Sequence, residues 1–145
     1  LYLNKYKKVI DICIVKVYYI ISSRKTNNNL GGNIMTVENM VSVKGNRIPN
    51  QFILRDEKHD LVTFQSYKSI IAEVFIKGAM GFRKIVHLYP DWDYSNTTRK
   101  YLYKFFKDLN INIKSSQDVK DALQRGYVRT QEDIAIVEES KPYRV

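Results

Sequence analysis

The sequence holds a single cysteine, Cys13, in 145 residues. From Met35 onward there is none, so that stretch has no disulfide, no thiol nucleophile and no Cys-based zinc site. Long hydrophobic runs are missing too. The best one, residues 9–21, follows Lys5, Lys7 and Lys8 in the manner of an export signal, yet Asp11 and Lys16 interrupt it. A spanning helix needs roughly twenty unbroken apolar residues, and either charge would cost a few kcal/mol at the bilayer centre. Phosphate-binding and metal-binding signatures are absent as well: the sequence has no Gly-rich phosphate loop, no His-x-x-x-His and no Asp-x-Asp-x-Asp-Gly. No internal repeat or low-complexity block occurs.

What is present describes a folded domain. Hydrophobic residues make up 44% of the chain and include eleven Tyr and six Phe, too many for a disordered segment. The length suits one domain with an ordinary core. The net charge of +9 points toward nucleic acid only until it is divided along the chain. Residues 1–34 carry +5 of it and residues 35–145 the remaining +4, a mild basicity that bears on solubility and weak steering.

The first thirty-four residues are expected to be translated upstream DNA, with the functional protein beginning at Met35. The chain opens on Leu1, and Gly31-Gly32-Asn33-Ile34-Met35 reads like a ribosome-binding site in translation, set at a working distance from a Met codon. A targeting or structured extension is the competing reading.

Residues 35–50 read as a loose, polar N-terminal arm, with Gly45 and Pro49 as breakers. Residues 51–128 are expected to form a single α+β domain. In it, 51–55 and 61–65 make a hairpin with Phe52 and Leu54, then Val62 and Phe64, on their apolar faces across the charged turn Asp56-Glu57-Lys58-His59-Asp60. The run 69–76 suits strand or helix by periodicity; its β-branched content and the turn signal Lys77-Gly78-Ala79-Met80-Gly81 favour a strand paired with 82–88. The expectation is a small antiparallel sheet of about four strands over residues 51–88, closed by Pro90.

Ser95 then caps the clearest helix, at about 95–109. Thr98, Tyr101, Leu102, Phe105, Phe106 and Leu109 form one apolar stripe suited to the open face of the sheet. A shorter helix at about 117–125 is capped by Ser115 or Ser116 and stopped by Gly126. The tail 129–145 has a capping-box-like Thr130-x-x-Asp133 before Ile134, Ile136 and Val137, which fixes neither helix nor strand.

Two stretches carry a family resemblance: Phe64-Gln65-Ser66-Tyr67-x-Ser69-x-Ile71-Ala72, and Trp92-Asp93-Tyr94-Ser95-x-Thr97-Thr98-x-Lys100-Tyr101 followed by Phe105-Phe106. Together they resemble a family of small uncharacterised proteins of bacteriophages and related mobile elements of low-GC bacteria, over residues 51–126. The resemblance implies two strands joined by a tight turn between the motifs, although the turn at 77–82 is longer here than is usual. It implies no activity.

Three constellations are candidates for function. Trp92, Asp93, Tyr94, Ser95, Thr97 and Thr98 form the densest polar-aromatic cluster. With Tyr67, the residues Trp92, Asp93 and Tyr94 are the protein-binding candidates, because Trp and Tyr join apolar area to a polar tip; packing and capping at a strand-to-helix junction explain the same cluster structurally. Arg99, Lys100, Tyr103, Lys104 and Lys107, opposite the apolar stripe, could follow a phosphate backbone while Tyr103 stacks on a base. They equally suit the solvated face of an amphipathic helix. Asp91 and Asp93 with Glu73 or Asp60 have no metal or acid/base spacing, while His59 and His87 read as a surface residue and a strand-face residue.

The leading expectation is therefore a non-catalytic phage or mobile-element accessory protein, without cofactor or metal, that binds a host or phage protein in the host cytoplasm and has no membrane partner. A DNA- or RNA-binding protein using the basic helix face is the alternative. An enzyme without a recognisable motif ranks third.

Overall fold

The computed structural model describes residues 35–77, 84–128 and 134–138. The expected leader (1–34), the turn at 78–82 and the Thr130–Asp133 signal lie outside the described residues. The α+β class is as expected, but the sheet is larger and mixed. Seven strands, β1 (Met35–Val41), β2 (Arg47–Asp56), β3 (Leu61–Ser66), β4 (Ser69–Phe75), β5 (Lys84–Leu88), β6 (Tyr127–Val128) and β7 (Ile134–Glu138), lie in the order β1-β2-β3-β4-β5-β7-β6. The first five form an antiparallel meander; β7 runs parallel to β5 and antiparallel to β6.

The strands missed in the sequence flank the four expected ones. Residues 35–50 are not a loose arm but a strand, a turn and the start of β2. The Ser42 carbonyl accepts from the Gly45 N–H (2.9 Å), with Gly45 at φ 80°, and Met40 and Ile48 are buried in the core. Pro49 fits in β2 because it falls within an irregularity. The register jumps from Asn39↔Phe52 to Val41↔Arg47, Asn50 takes φ 59°, and no paired position needs the N–H that proline lacks. Pro90 closes only the meander, since the chain returns to the sheet as β7 and buries Ile134 and Ile136.

Alternation gives the sheet two faces. Ile53, Phe64 and Ala72 stand in register across β2, β3 and β4, as do Val62, Val74, Val86 and Ile136 across β3, β4, β5 and β7. This face receives the helices. Helix α1 (Asn96–Asp108) starts at Ser95, whose Oγ accepts from the Thr98 N–H at 3.1 Å, and buries Thr98, Leu102, Phe105 and Phe106. The Phe105 ring stacks on Phe64 with centroids 5.6 Å apart. Tyr101 and Leu109, expected in the stripe, border the core half-buried. Helix α2 (Ser116–Arg125) is capped by Ser115 and ends at Gly126 with φ 78°, the left-handed conformation that glycine adopts most readily.

Truncating Phe105 leaves a cavity against Phe64, Leu102 and Phe106. Phe105→Ala is expected to destabilise the fold by about 3–5 kcal/mol in chemical denaturation. Asp118 offers a pH-dependent counterpart at the start of α2. The Lys114 N–H, which donates to Asp118 Oδ2 (2.9 Å), and the Ser115 hydroxyl hold its carboxyl below the ordinary carboxylate range. The folded form thus favours the ionised group, so its stabilisation is present above the unfolded-state value and is lost as pH falls through the folded one. Because this carboxylate is solvent-exposed, the effect is small: between neutral and acid pH, Asp118→Asn should lose slightly less thermal stability than the parent.

Candidate functional site

The register gathers several loops at one end of the sheet. Val41 faces Arg47, Ser66 faces Ser69, and Leu88 faces both Ala72 and Glu138. The 42–46 turn, the two-residue turn at Tyr67 and Lys68, and the short 3-10 helix Pro90–Asp93 that follows β5 therefore share that end. Each presents an apolar or aromatic side chain to solvent: Val43 is fully exposed, Tyr67 is 58% exposed and Tyr94 84%.

The four protein-binding candidates divide here. Trp92 is only 6% exposed and belongs to the core, so it supports the loop from beneath and is no recognition surface. Its burial follows from the 3-10 turn, in which the Tyr89 carbonyl accepts from the Trp92 N–H at 3.1 Å. Asp93 is exposed and pairs with Arg99 on the first turn of α1. Tyr94 directly precedes the cap Ser95 and points out. Tyr67 is brought to the same end from a different part of the sequence, with a backbone φ of 53°. Its N–H donates to the Asn50 carbonyl (2.7 Å), and its own carbonyl accepts from Gln65 Nε2 (2.7 Å).

The basic face of α1 is less available than its composition suggests. Besides Asp93, Arg99 donates to the Asn96 side chain, and Lys104 pairs with Asp108 at 2.8 Å. Tyr103 is half-buried with its hydroxyl 2.9 Å from that of Ser116, which ties the proposed stacking ring to α2. Lys100 lies 5.4 Å from the Tyr101 ring centre, and Lys107 is exposed in the last turn.

A family model described as "Family of unknown function (DUF8033)" matches residues 35–122, more than half of the chain. The chain belongs to that family. The DUF8033 match takes in β1 to β5, α1 and most of α2, and so includes every loop of the gathered end. No curated protein and no solved structure matches the chain.

The other face of this DUF8033 sheet holds a grouping that the sequence did not reveal. Thr63, Glu73 and His87 stand in one register row and are buried. The Glu73 carboxyl accepts from the Tyr89 hydroxyl at 2.5 Å and from Thr63 Oγ1 at 3.4 Å, while the His87 ring packs edge-on to Phe75. His59 does not sit free on the surface; its Nδ1 is 2.8 Å from Asp56 Oδ2. Each histidine thus has a carboxylate as neighbour, His59 through the local i,i+3 turn capped by Asp56 and His87 through its register with Glu73, which spacing along the chain does not show. Among the described residues, no group of three or more His, Cys, Asp or Glu side chains is placed to hold a metal ion, and no helix is long and apolar enough to cross a membrane.

Removing the Tyr89 hydroxyl leaves a buried carboxyl oxygen short of a donor. Tyr89→Phe should lower stability by about 1.5–3 kcal/mol in denaturant titration, several times the effect of Tyr94→Ala at the exposed end.

Proposed function

We propose that this chain is a non-catalytic accessory protein that binds another protein through the loop end of its sheet. The motifs at Phe64–Ala72 and Trp92–Phe106 suggest a phage or mobile-element setting and a host or phage protein as partner, in the host cytoplasm.

The observation that carries the reading is the conformation of Tyr67. A bulky aromatic at positive φ is sterically unfavourable, costing on the order of 1 kcal/mol, and glycine or asparagine would occupy the turn more easily. More than half of its surface lies in solvent, so core packing does not repay the strain. A strained, exposed aromatic whose backbone is held by hydrogen bonds to the Asn50 carbonyl and from the Gln65 side chain is a side chain presented to a partner. Tyr94 supports the same reading from the opposite motif: its loop is anchored by Trp92 below and the Ser95 cap behind. Two rigidly held tyrosines supply contact area with little entropy to lose on binding.

The nucleic-acid alternative draws on the basic face of α1, where two of the four cations are engaged by neighbouring carboxylates and Tyr103 is tied to α2. It has less to support it.

In the test, a photo-reactive phenylalanine analogue replaces Tyr67, Tyr94 or, at the opposite end of the sheet, Lys58, and the full chain is irradiated in host extract. Protein adducts at positions 67 and 94 but not at 58 are expected. Equal yields at all three, or none at 67 and 94, would overturn the reading. Alongside, Tyr67→Asn should leave stability unchanged or raised by up to about 1 kcal/mol while reducing adducts at position 94, a split that a purely structural role for Tyr67 would not produce.

A further inference from the structure

The loop end that carries Tyr67 and Tyr94 is also electrostatically polarised. Lys44 lies in the 42–46 turn, Arg47 directly follows it, and Lys68 completes the β3–β4 turn beside Tyr67; all three are exposed and make no ion pair among the described residues. Of the other described cations of the meander, Arg55 pairs with Glu38 and Lys77 with Asp60, while Lys58, at the opposite end beside Glu57, makes no ion pair among the described residues. Three of these four unpaired cations, Lys44, Arg47 and Lys68, thus sit on the two turns that also expose Val43 and Tyr67. Across the same end, beside Tyr94, the sign reverses at the exposed Asp91, which makes no ion pair among the described residues, whereas Asp93 is already engaged by Arg99.

We infer that the partner's contacting segment is acidic and apolar, with carboxylates laid over Lys44, Arg47 and Lys68 and aliphatic or aromatic side chains set against Val43, Tyr67 and Tyr94. This inference rests on the protein-binding reading and specifies the chemistry of the partner. Complementary charge steers encounter and fixes orientation, while the aromatic centre supplies most of the affinity. Protein is favoured over a nucleic-acid strand by the Asp91 carboxylate beside Tyr94. A phosphate backbone continuing from the cationic turns past that ring would meet the unpaired Asp91, whereas a peptide offers it N–H donors.

The test measures binding of the full chain to three fluorescent probes: a peptide in which Glu alternates with Leu and Tyr, the same peptide with Gln in place of Glu, and single-stranded oligothymidine. The Glu peptide should bind more tightly than the Gln peptide and lose affinity as salt rises. Reversing the three cations together (Lys44→Glu, Arg47→Glu, Lys68→Glu) should weaken it about tenfold, with an unchanged melting temperature showing that the variant is folded. Reversing Lys107 and Lys120 on the helices and Lys114 just before α2 instead should have little effect and controls for net charge. Equal binding of the Gln peptide, insensitivity to the turn reversals, or preferential binding of oligothymidine would each overturn the inference. Failure here is separable from failure of the parent reading. If protein adducts still form at positions 67 and 94 in extract, but with a yield indifferent to salt and to the turn reversals, protein binding stands and the acidic partner is lost.

Discussion

The stacking of Phe105 on Phe64 is the contact on which the rest of the molecule depends. It demands that β3 present its even-numbered residues, Val62 and Phe64, to the helices, and that α1 present Leu102, Phe105 and Phe106 to the sheet. Each condition propagates. A strand that shows Phe64 on one face must show Thr63 on the other, and antiparallel pairing carries that assignment to Ala72 and Glu73 on β4 and then to Leu88 and His87 on β5. Seating α1 over β3 also sets the path of the chain from β5: it must turn back across the core, and Trp92 fills the corner at which it does so.

The exposure of Tyr94 follows from that geometry. With Trp92 buried and the Ser95 side chain committed to the Thr98 N–H, the residue between 93 and 95 has its backbone bound on both sides and its side chain turned outward. At Tyr67 the constraint comes from the sheet, where a turn of two residues between paired Ser66 and Ser69 leaves no slack. Loops positioned by a stiff scaffold are where proteins place recognition residues, since the ordering entropy has been met in folding and little of it remains to be lost on association. The placement of the two side chains is thus set by the same core that fixes the strands.

The sequence disclosed those parts of the fold that rest on local periodicity and local capping. The stripe Leu102, Phe105 and Phe106, the caps Ser95 and Ser115, the stop at Gly126 and the alternation of β3 are all short-range signals, and the structure contains each of them. The missed strands rest on long-range terms. β1 (Met35–Val41) buries only Met40 and leaves Val37 exposed, so its pairing with β2 could not be inferred from composition. β7 is recognisable only against β5, from which two helices separate it in the chain. The loop end was half legible: Trp92, Asp93 and Tyr94 stood out as a cluster that either packing or recognition would explain, but nothing in the chain divided the inward Trp92 from the outward Tyr94 or indicated that Tyr67 belongs to the same end. The row Thr63, Glu73 and His87 was invisible for the same reason, because strand register, not spacing, creates it.

That buried polar row gives β4 something its apolar residues cannot supply. Ile70, Ile71, Ala72, Val74, Phe75 and Ile76 are so uniformly hydrophobic that a shift of one residue against β3 would exchange one set of apolar side chains for another on the helix-facing side. Glu73 breaks that degeneracy. Displaced by one position, its carboxyl would turn toward Phe64 and Phe105, away from Thr63 and the Tyr89 hydroxyl, and an unpaired carboxylate in such surroundings is strongly destabilising. A β strand slipped by one residue inverts all of its faces, so one well-placed polar group excludes the whole set of misregistered sheets. In the chain as it stands, Glu73 and Tyr89 thereby secure the register that presents Phe64 to Phe105 and, through it, the placement of both exposed tyrosines.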